Sequence, residues 1–222
     1  IKAISEKEKY ISRIDFLNRL SELVNGKKSR AVKERTMLHH IIDKYLWIFD
    51  EKFENIDRGN FASDESLKKI LENEKFFHFD SDELEKIISS HDVKKIPDIF
   101  IPIFANDTIY IIELKKPGIA INPRILEEVR TKYVRTLKEI NKKYDNSTKK
   151  KIYAIAVSDT KNENIYTIGN IDSDGFTIIP KSWDEIITDA RLRCNEKIDI
   201  LNHKIQTSKW KDLENFVLTH NQ

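Results

Sequence analysis

The chain has 222 residues, of which 39% are hydrophobic and 34% are charged, and its formal net charge at pH 7 is +2. These values are typical of a soluble globular protein with one large domain. The sequence contains no run of about eighteen apolar residues, the length that a membrane-spanning helix requires. A single cysteine, Cys194, excludes a disulfide framework within the chain. We therefore expect a cytoplasmic protein that does not associate with a membrane.

The N-terminal region is predicted to be helical. Apolar residues recur at helical spacing from residue 3 to residue 25, where Asn25-Gly26 ends the pattern. We divide the chain into this helix with its linker, residues 1–28, and a domain at residues 29–222. Because the chain begins with Ile1 and not with methionine, we expect an upstream domain on the same polypeptide. The helix either couples to that region or packs on the core of the following domain.

A second helix is predicted from an N-cap at Ser29 to about Phe49. Its apolar stripe consists of Leu38, Ile41, Ile42 and Tyr45. Glu34 lies four residues before Leu38 on the same face of this helix. A carboxylate at the head of an apolar stripe needs a partner, which makes Glu34 a candidate site residue. The alternative is an exposed first-turn glutamate, which the helix dipole favours.

Residues 50 to 95 are polar and acidic, and they indicate no particular chemistry. Short helices are predicted at residues 64–73 and 82–89, the second after a capping segment that begins at Asp80. Before this region, His39 and His40 point about 100° apart on the predicted helix, so both cannot face one site. Either could contact phosphate, but we interpret both as surface or hydrogen-bonded histidines. No His/Cys spacing predicts a zinc site.

The stretch from residue 94 to residue 117 predicts a β-hairpin, with strands at 96–104 and 108–115. The second strand is rich in β-branched and aromatic residues. Because side chains alternate between the faces of a strand, Glu113 and Lys115 share one face near its end. Asp98 follows a proline on the first strand and can lie across from them.

Two carboxylates that converge on one point repel each other unless positive charge lies between them. Lys115 and a divalent cation are the candidates for that charge. The alternative is a surface hairpin in which Glu113 and Lys115 form an exposed ion pair, which would contribute only ~0–1 kcal/mol. This alternative explains less well why charged residues interrupt an apolar pair of strands.

A basic helix is predicted after the hairpin, from Asn122-Pro123 to about Tyr144. Residues 124–151 contain ten lysines or arginines and four acidic residues. Positive charge on a helix that follows the site-bearing strand is suited to a phosphate backbone. The candidate nucleic-acid-binding residues are Arg130, Arg135, Lys138, Lys142 and Lys143. The alternative is a solvated charged face.

The C-terminal part predicts a buried strand at residues 151–158, parallel to the strand of Glu113 because the basic helix supplies the crossover. Further strands are predicted at residues 164–168 and 176–179. A capping box that begins at Ser182 opens a helix to about His203. These elements together predict an α/β domain with a mixed central sheet flanked by helices and an N-terminal helical extension.

The combination of Pro97-Asp98 with Glu113-Leu114-Lys115 resembles the signature of the PD-(D/E)XK nuclease superfamily, whose core is the restriction-endonuclease-like fold. The resemblance implies that Asp98, Glu113 and the backbone carbonyl of Leu114 hold Mg²⁺, with Mn²⁺ as a substitute. It also implies that Lys115 orients or activates the attacking water. In many members the first core helix supplies an additional acidic residue to the metal and catalytic site. The resemblance assigns that role to Glu34. The helix after the metal-binding strand often carries a glutamine in the superfamily, whereas this chain has Glu128 or Val129 there.

Glu34-Arg35, Leu38-His39 and the segment 45–49 resemble the start of nuclease domains in prokaryotic anti-phage defence proteins. These include Shedu-type effectors and domains fused to histidine-kinase-like ATPases. The resemblance implies a metal-dependent DNA endonuclease that acts as the effector domain of a defence protein, with DNA as its partner and a homo-oligomer left open. The second hypothesis is a catalytically silent module of the same fold that binds nucleic acid or couples to another domain.

Overall fold

The computed structural model describes residues 2–27, 29–32, 37–144, 150–161 and 165–220. Its centre is a five-stranded mixed sheet in the order β1-β2-β3-β5-β7, and β4 pairs with β6 in a separate two-stranded sheet. The strands are β1 (Ala62–Ser63), β2 (Ile99–Ile103), β3 (Thr108–Leu114), β4 (Ala120–Ile121), β5 (Lys151–Ser158), β6 (Thr160–Lys161) and β7 (Phe176–Ser182). The helices are α1 (Lys2–Asn25), α2 (His39–Ile42), α3 (Leu67–Glu72), α4 (Ser81–Ser90), α5 (Pro123–Val129), α6 (Arg135–Tyr144), α7 (Ile171–Asp174) and α8 (Trp183–His220).

The predicted hairpin is present as β2 and β3, which pair antiparallel with Ile99 opposite Ile112. A 3₁₀ turn at Phe104–Asn106 joins the strands, and Asp107 follows in the left-handed region with a φ of 50°. Aspartate tolerates this conformation better than most residues. The first strand begins later than predicted. Pro102 lies within this strand and pairs with Ile109, so proline alone does not set the strand's start.

The crossover from β3 to β5 runs through α5, a π-helical segment at Arg130–Val134, and α6. β3 and β5 are parallel, with Ile109 beside Ile152, and β7 continues the parallel part of the sheet. The predicted parallel pairing is therefore confirmed. The predicted strand at residues 164–168 is wrong in its described part, where Ile168 forms only an isolated bridge to Ile178.

Helices cover both faces of the sheet, and the side chains of β3 alternate between two hydrophobic clusters as predicted. Tyr110, Ile112 and Leu114 belong to the cluster that also contains residues of α1 and α8. Ile109 and Ile111 belong to the cluster on the side of α3 to α6. The α1 helix runs antiparallel to α8, as the contacts Asn25–Asp184 and Asn18–Arg191 show, and it buries part of the first cluster.

The prediction of one continuous helix from Ser29 to Phe49 is wrong. The described residues form a 3₁₀ turn at Ser29–Ala31, the short helix α2 and a 3₁₀ turn at Leu46–Ile48. All three residues of the last turn are buried, which a helix packed on one side could not achieve for consecutive positions. Arg193 of α8 stabilises this turn, because its guanidinium donates to the carbonyls of Trp47 and Ile48 at 3.2 and 2.8 Å.

Both predicted capping motifs are confirmed. Asp80 and Glu83 form a reciprocal box at the start of α4. At the start of α8, the Ser182 N–H donates to Glu185 Oε2 at 2.6 Å, and the Glu185 N–H donates to Ser182 Oγ at 3.1 Å. The α8 helix continues well beyond the predicted end near His203, to His220. In the part of the chain that the structure describes, no helix combines the length and apolar character needed to span a membrane.

Candidate metal centre

Asp98 and Glu113 are cross-strand neighbours at one end of the hairpin. The pairing of Ile99 with Ile112 places Asp98 opposite Glu113 when the register is continued by one residue. Opposed residues of an antiparallel pair project from the same face of the sheet. Both residues are buried, each with only 6% of its surface exposed. The structure thus brings together the two acidic residues that the hairpin pattern singled out.

Each carboxylate accepts hydrogen bonds from neighbouring groups. Asp98 Oδ2 accepts from the Leu114 N–H at 2.6 Å. Glu113 Oε1 accepts from Lys115 Nζ at 2.8 Å, and this ion pair is largely buried, with side-chain exposures of 7% for Glu113 and 18% for Lys115. The alternative prediction of an exposed surface ion pair is therefore wrong. The pair instead places an ammonium group beside one of two buried carboxylates.

The main chain around Lys115 is held from two sides. The Lys115 N–H donates to the Val157 carbonyl of β5 at 2.8 Å. The indole of Trp183, a fully buried residue, donates to the Lys115 carbonyl at 3.2 Å. These contacts fix the strand end from which the ammonium group projects. The group of Leu114 that contacts Asp98 is its N–H, and its carbonyl stays a predicted metal ligand.

Tyr133 is a buried residue that contacts Glu113 and that the sequence did not single out. Its hydroxyl oxygen lies 3.1 Å from Glu113 Oε2 and 2.8 Å from the Ile96 carbonyl oxygen. Tyr133 belongs to the π-helical segment between α5 and α6. Such segments are frequent at functional sites. The sequence signal that could identify Tyr133 is its position among regularly spaced apolar residues of the crossover helix. Such a position buries the tyrosine, and a buried hydroxyl needs a hydrogen-bond partner.

His39 and Asp64 were also missed. His39 is 5% exposed, with Nε2 located 2.7 Å from the Asp98 carbonyl oxygen and Nδ1 located 2.9 Å from Asp64 Oδ2. The interpretation of His39 as a hydrogen-bonded histidine is correct, but its partners connect it to the site. The Asp64 N–H also donates to the Asp98 carbonyl, at 3.1 Å. His39, Asp64 and Asp98 each offer a metal-ligating atom, and these atoms all lie within 4.8 Å of one another.

The remaining predicted residues are less closely tied to this centre. Glu34 lies outside the described residues, as do the side chains of Lys142 and Lys143. Arg130 pairs with Glu127 at 3.5 Å, and Arg135 pairs with Glu139 at 3.0 Å. Lys138 Nζ lies 4.4 Å from the centre of the Phe176 ring. Exposed ion pairs on the helix therefore neutralise part of its positive charge.

No protein-family model, curated protein or solved structure matches this chain. The class that the architecture defines is an α/β protein, with a mixed five-stranded sheet covered by helices on both faces. Within that class, the distinguishing local feature is a buried group of acidic and basic side chains at the end of an antiparallel hairpin.

Proposed function

We propose that this chain is a metal-dependent DNA endonuclease of the PD-(D/E)XK type and the effector domain of a prokaryotic defence protein. One observation carries the proposal: Asp98, the residue directly before β2, continues the register opposite Glu113 of β3, and Lys115 Nζ is 2.8 Å from Glu113 Oε1. The choice of DNA as substrate and the defence role rest on the resemblance of the sequence motifs to such nucleases.

The chemistry of the donor set fits Mg²⁺. This ion prefers oxygen ligands and is commonly bound through one or two carboxylates, while water and substrate phosphate fill its other positions. Asp98 and Glu113 would hold it, and Mn²⁺ would substitute. A bound divalent ion supplies Lewis-acid activation of a phosphate oxygen and stabilises negative charge in the transition state.

Residues of the chain would orient the attacking water, position the metal-binding carboxylate and bind the DNA backbone. The Lys115 ammonium, beside Glu113, would orient the attacking water and offset charge that develops on the phosphate. The Tyr133 hydroxyl would hold the Glu113 carboxylate in position through its contact with Oε2. Arg130 and Arg135 are exposed on the crossover segment, and Lys138 is half-buried beside Phe176. These three residues would contact the phosphate backbone.

The test is nicking of supercoiled plasmid DNA in the presence of Mg²⁺, with the wild-type chain compared with Glu113→Gln. Glutamine keeps the size of the side chain but removes its charge. Glu139→Gln, an exposed position on α6, is the matched control. We expect cleavage by the wild type and the control and loss of cleavage in Glu113→Gln. Equal nicking by wild type and Glu113→Gln, or no nicking by any of them, would contradict the proposal.

One observation favours the second candidate, a silent module that binds nucleic acid. The site groups satisfy one another, since Glu113 accepts from Lys115 and Tyr133, and Asp98 accepts from the Leu114 N–H. Such a network can be purely structural. A silent module would bind DNA with equal affinity in Mg²⁺ and in EDTA, as measured by fluorescence anisotropy, and would not cleave it.

A further inference from the structure

The imidazole of His39 lies between two oxygen atoms, and Ser63 Oγ is a more distant third neighbour, 3.4 Å from Nε2. Its Nε2 is 2.7 Å from the main-chain carbonyl of Asp98, and its Nδ1 is 2.9 Å from the carboxylate of Asp64. A carbonyl oxygen can only accept, so Nε2 carries the proton that this hydrogen bond requires. In the neutral imidazole, Nδ1 then presents a lone pair to a carboxylate that also has only lone pairs to offer.

Two acceptors at hydrogen-bond distance repel each other unless a positive charge lies between them. Either a second proton on His39 or a metal cation can supply that charge. The arrangement around Nε2 is the one common in metal sites, where a ligating histidine donates its other N–H to a backbone carbonyl. That contact selects the tautomer and directs the remaining nitrogen towards the ion.

We propose that His39, Asp64 and Asp98 form a second cation site, which takes a first-row transition-metal ion in preference to Mg²⁺. Their ligating atoms lie within 4.8 Å of one another. The Nδ1–Oδ2 distance of 2.9 Å fits two adjacent ligands of one ion, since metal–ligand bonds of about 2.1 Å at right angles separate neighbouring ligand atoms by roughly 3 Å.

The types of ligand atom determine which metal ion the site prefers. Imidazole nitrogen suits Zn²⁺, Fe²⁺ and related ions, whereas Mg²⁺ favours a shell of oxygen ligands. The burial of the site also fits: His39 is 6% exposed at its side chain, whereas Asp64 is 47% exposed and gives the ion and its water ligands a path from solvent.

Asp98 belongs both to this group and to the proposed Asp98–Glu113 centre. The second site therefore lies beside that centre, on the side towards β1. Metal binding at His39 does not depend on DNA cleavage, so the inference stands or falls independently of the proposed function.

The experiment uses Mn²⁺ as the probe and the metal-free wild-type chain. The EPR signal of free Mn²⁺ gives the number of bound ions, and pulsed EPR detects coupling to the ¹⁴N nucleus of a ligating imidazole. The inference requires one bound Mn²⁺ ion that is coupled to nitrogen, and a second, uncoupled ion is expected where the Asp98–Glu113 centre also binds Mn²⁺. Excess Mg²⁺ should displace the uncoupled ion first.

Three variants identify the residues that bind the nitrogen-coupled Mn²⁺ ion. Asp64→Asn keeps the side-chain size and tolerates the left-handed backbone found there, a φ of 54°; we expect at least tenfold weaker binding of the nitrogen-coupled Mn²⁺. His39→Gln should abolish the ¹⁴N coupling. Glu113→Gln should keep it while losing the uncoupled ion.

His91→Gln is the matched control, because His91 is a partly buried histidine next to Glu139, at 3.4 Å. It should keep the ¹⁴N coupling. Absence of coupling in the wild type, or coupling that persists in His39→Gln, would overturn the second site. Since the wild-type measurement alone can refute the inference, poor folding of a variant does not leave it untested. Nitrogen-coupled Mn²⁺ in a chain that does not nick DNA would support this site and refute the nuclease.

Discussion

The Tyr133 hydroxyl connects the crossover helix to both sides of the hairpin. It lies 3.1 Å from Glu113 Oε2 and 2.8 Å from the carbonyl of Ile96, which precedes β2. A hydroxyl group has one proton, so it donates to one of these oxygens at a time. One buried side chain of the π-helical segment thereby positions a carboxylate and the chain segment that leads to Asp98.

We expect Tyr133→Phe to lower the free energy of unfolding by about 1 kcal/mol, because the variant loses a buried hydrogen bond without a large change in packing. If Glu113 holds the metal, the variant should also need about 10–100-fold more Mg²⁺ for half-maximal cleavage. Urea denaturation and a Mg²⁺ titration of plasmid nicking measure the two effects. Tyr153→Phe is the control, since Tyr153 stacks on Tyr110 on the opposite face of the sheet. A stable Tyr133→Phe with normal Mg²⁺ dependence would show that the contact is incidental.

We expect Lys115→Arg to retain Mg²⁺ binding and to lose most of its cleavage activity, by a factor of about 10²–10⁴. Arginine keeps the positive charge beside Glu113, but its guanidinium is larger, planar and does not deprotonate. Isothermal titration calorimetry measures Mg²⁺ binding, and single-turnover nicking measures the rate. Lys116→Arg, one residue further along the chain, should match the wild type in both assays. Normal turnover in Lys115→Arg would exclude the role assigned to this ammonium.

We expect replacement of Arg130, Arg135 and Lys138 by glutamine to weaken DNA binding and to reduce its salt dependence. Each lost phosphate contact should lower the slope of log affinity against log salt by about 0.9. The control replaces Lys68, Lys69 and Lys86, on α3 and α4, with the same change in net charge. If both triple variants show the wild-type slope, the basic side of the crossover helix is a solvated face, as the alternative prediction states.

Glu54 should make stability depend on pH. Burial acts to raise the pKa of Glu54, but hydrogen bonds from Lys9 and Arg13 outweigh it and hold the pKa below its ordinary value. A carboxylate with a depressed pKa in the folded state stabilises the protein above its unfolded-state pKa, and this stabilisation is lost as the pH falls.

We therefore expect the wild type to lose more stability than Glu54→Gln when the pH falls from about 6 to about 3. Urea denaturation at a series of pH values measures the difference. Glu51→Gln is the control, because Glu51 lies in the same segment and forms an exposed pair with Lys197 at 3.4 Å. Parallel pH profiles for wild type and Glu54→Gln would show that the contacts with Lys9 and Arg13 contribute nothing.

Features that depend on neighbouring residues could be predicted from the sequence. The alternation along β3 placed Ile111 and Ile112 in different clusters, as the structure confirms. The capping boxes at Asp80 and Ser182 were predicted for the same reason, because a cap involves residues only three positions apart. The combination of Asp98, Glu113 and Lys115 followed from strand geometry within one hairpin.

Secondary-structure predictions from local patterns were wrong where packing between distant elements determines the structure. The apolar stripe before residue 49 predicted one helix, but burial of three consecutive residues and the contacts of Arg193 favour a 3₁₀ turn there. Similarly, α8 extends beyond its predicted end, and its described part packs along α1.

Interactions along the chain thus determine the hairpin, the alternation of its side chains between two faces and the three charged residues at its end. Only the tertiary structure brought His39, Asp64 and Tyr133 to Asp98 and Glu113. Strand alternation and helix caps arise from interactions over a few residues, so the spacing of residues along the chain predicts them. Contacts between separate elements depend on how the helices pack on the sheet, so the spacing of residues along the chain does not predict them.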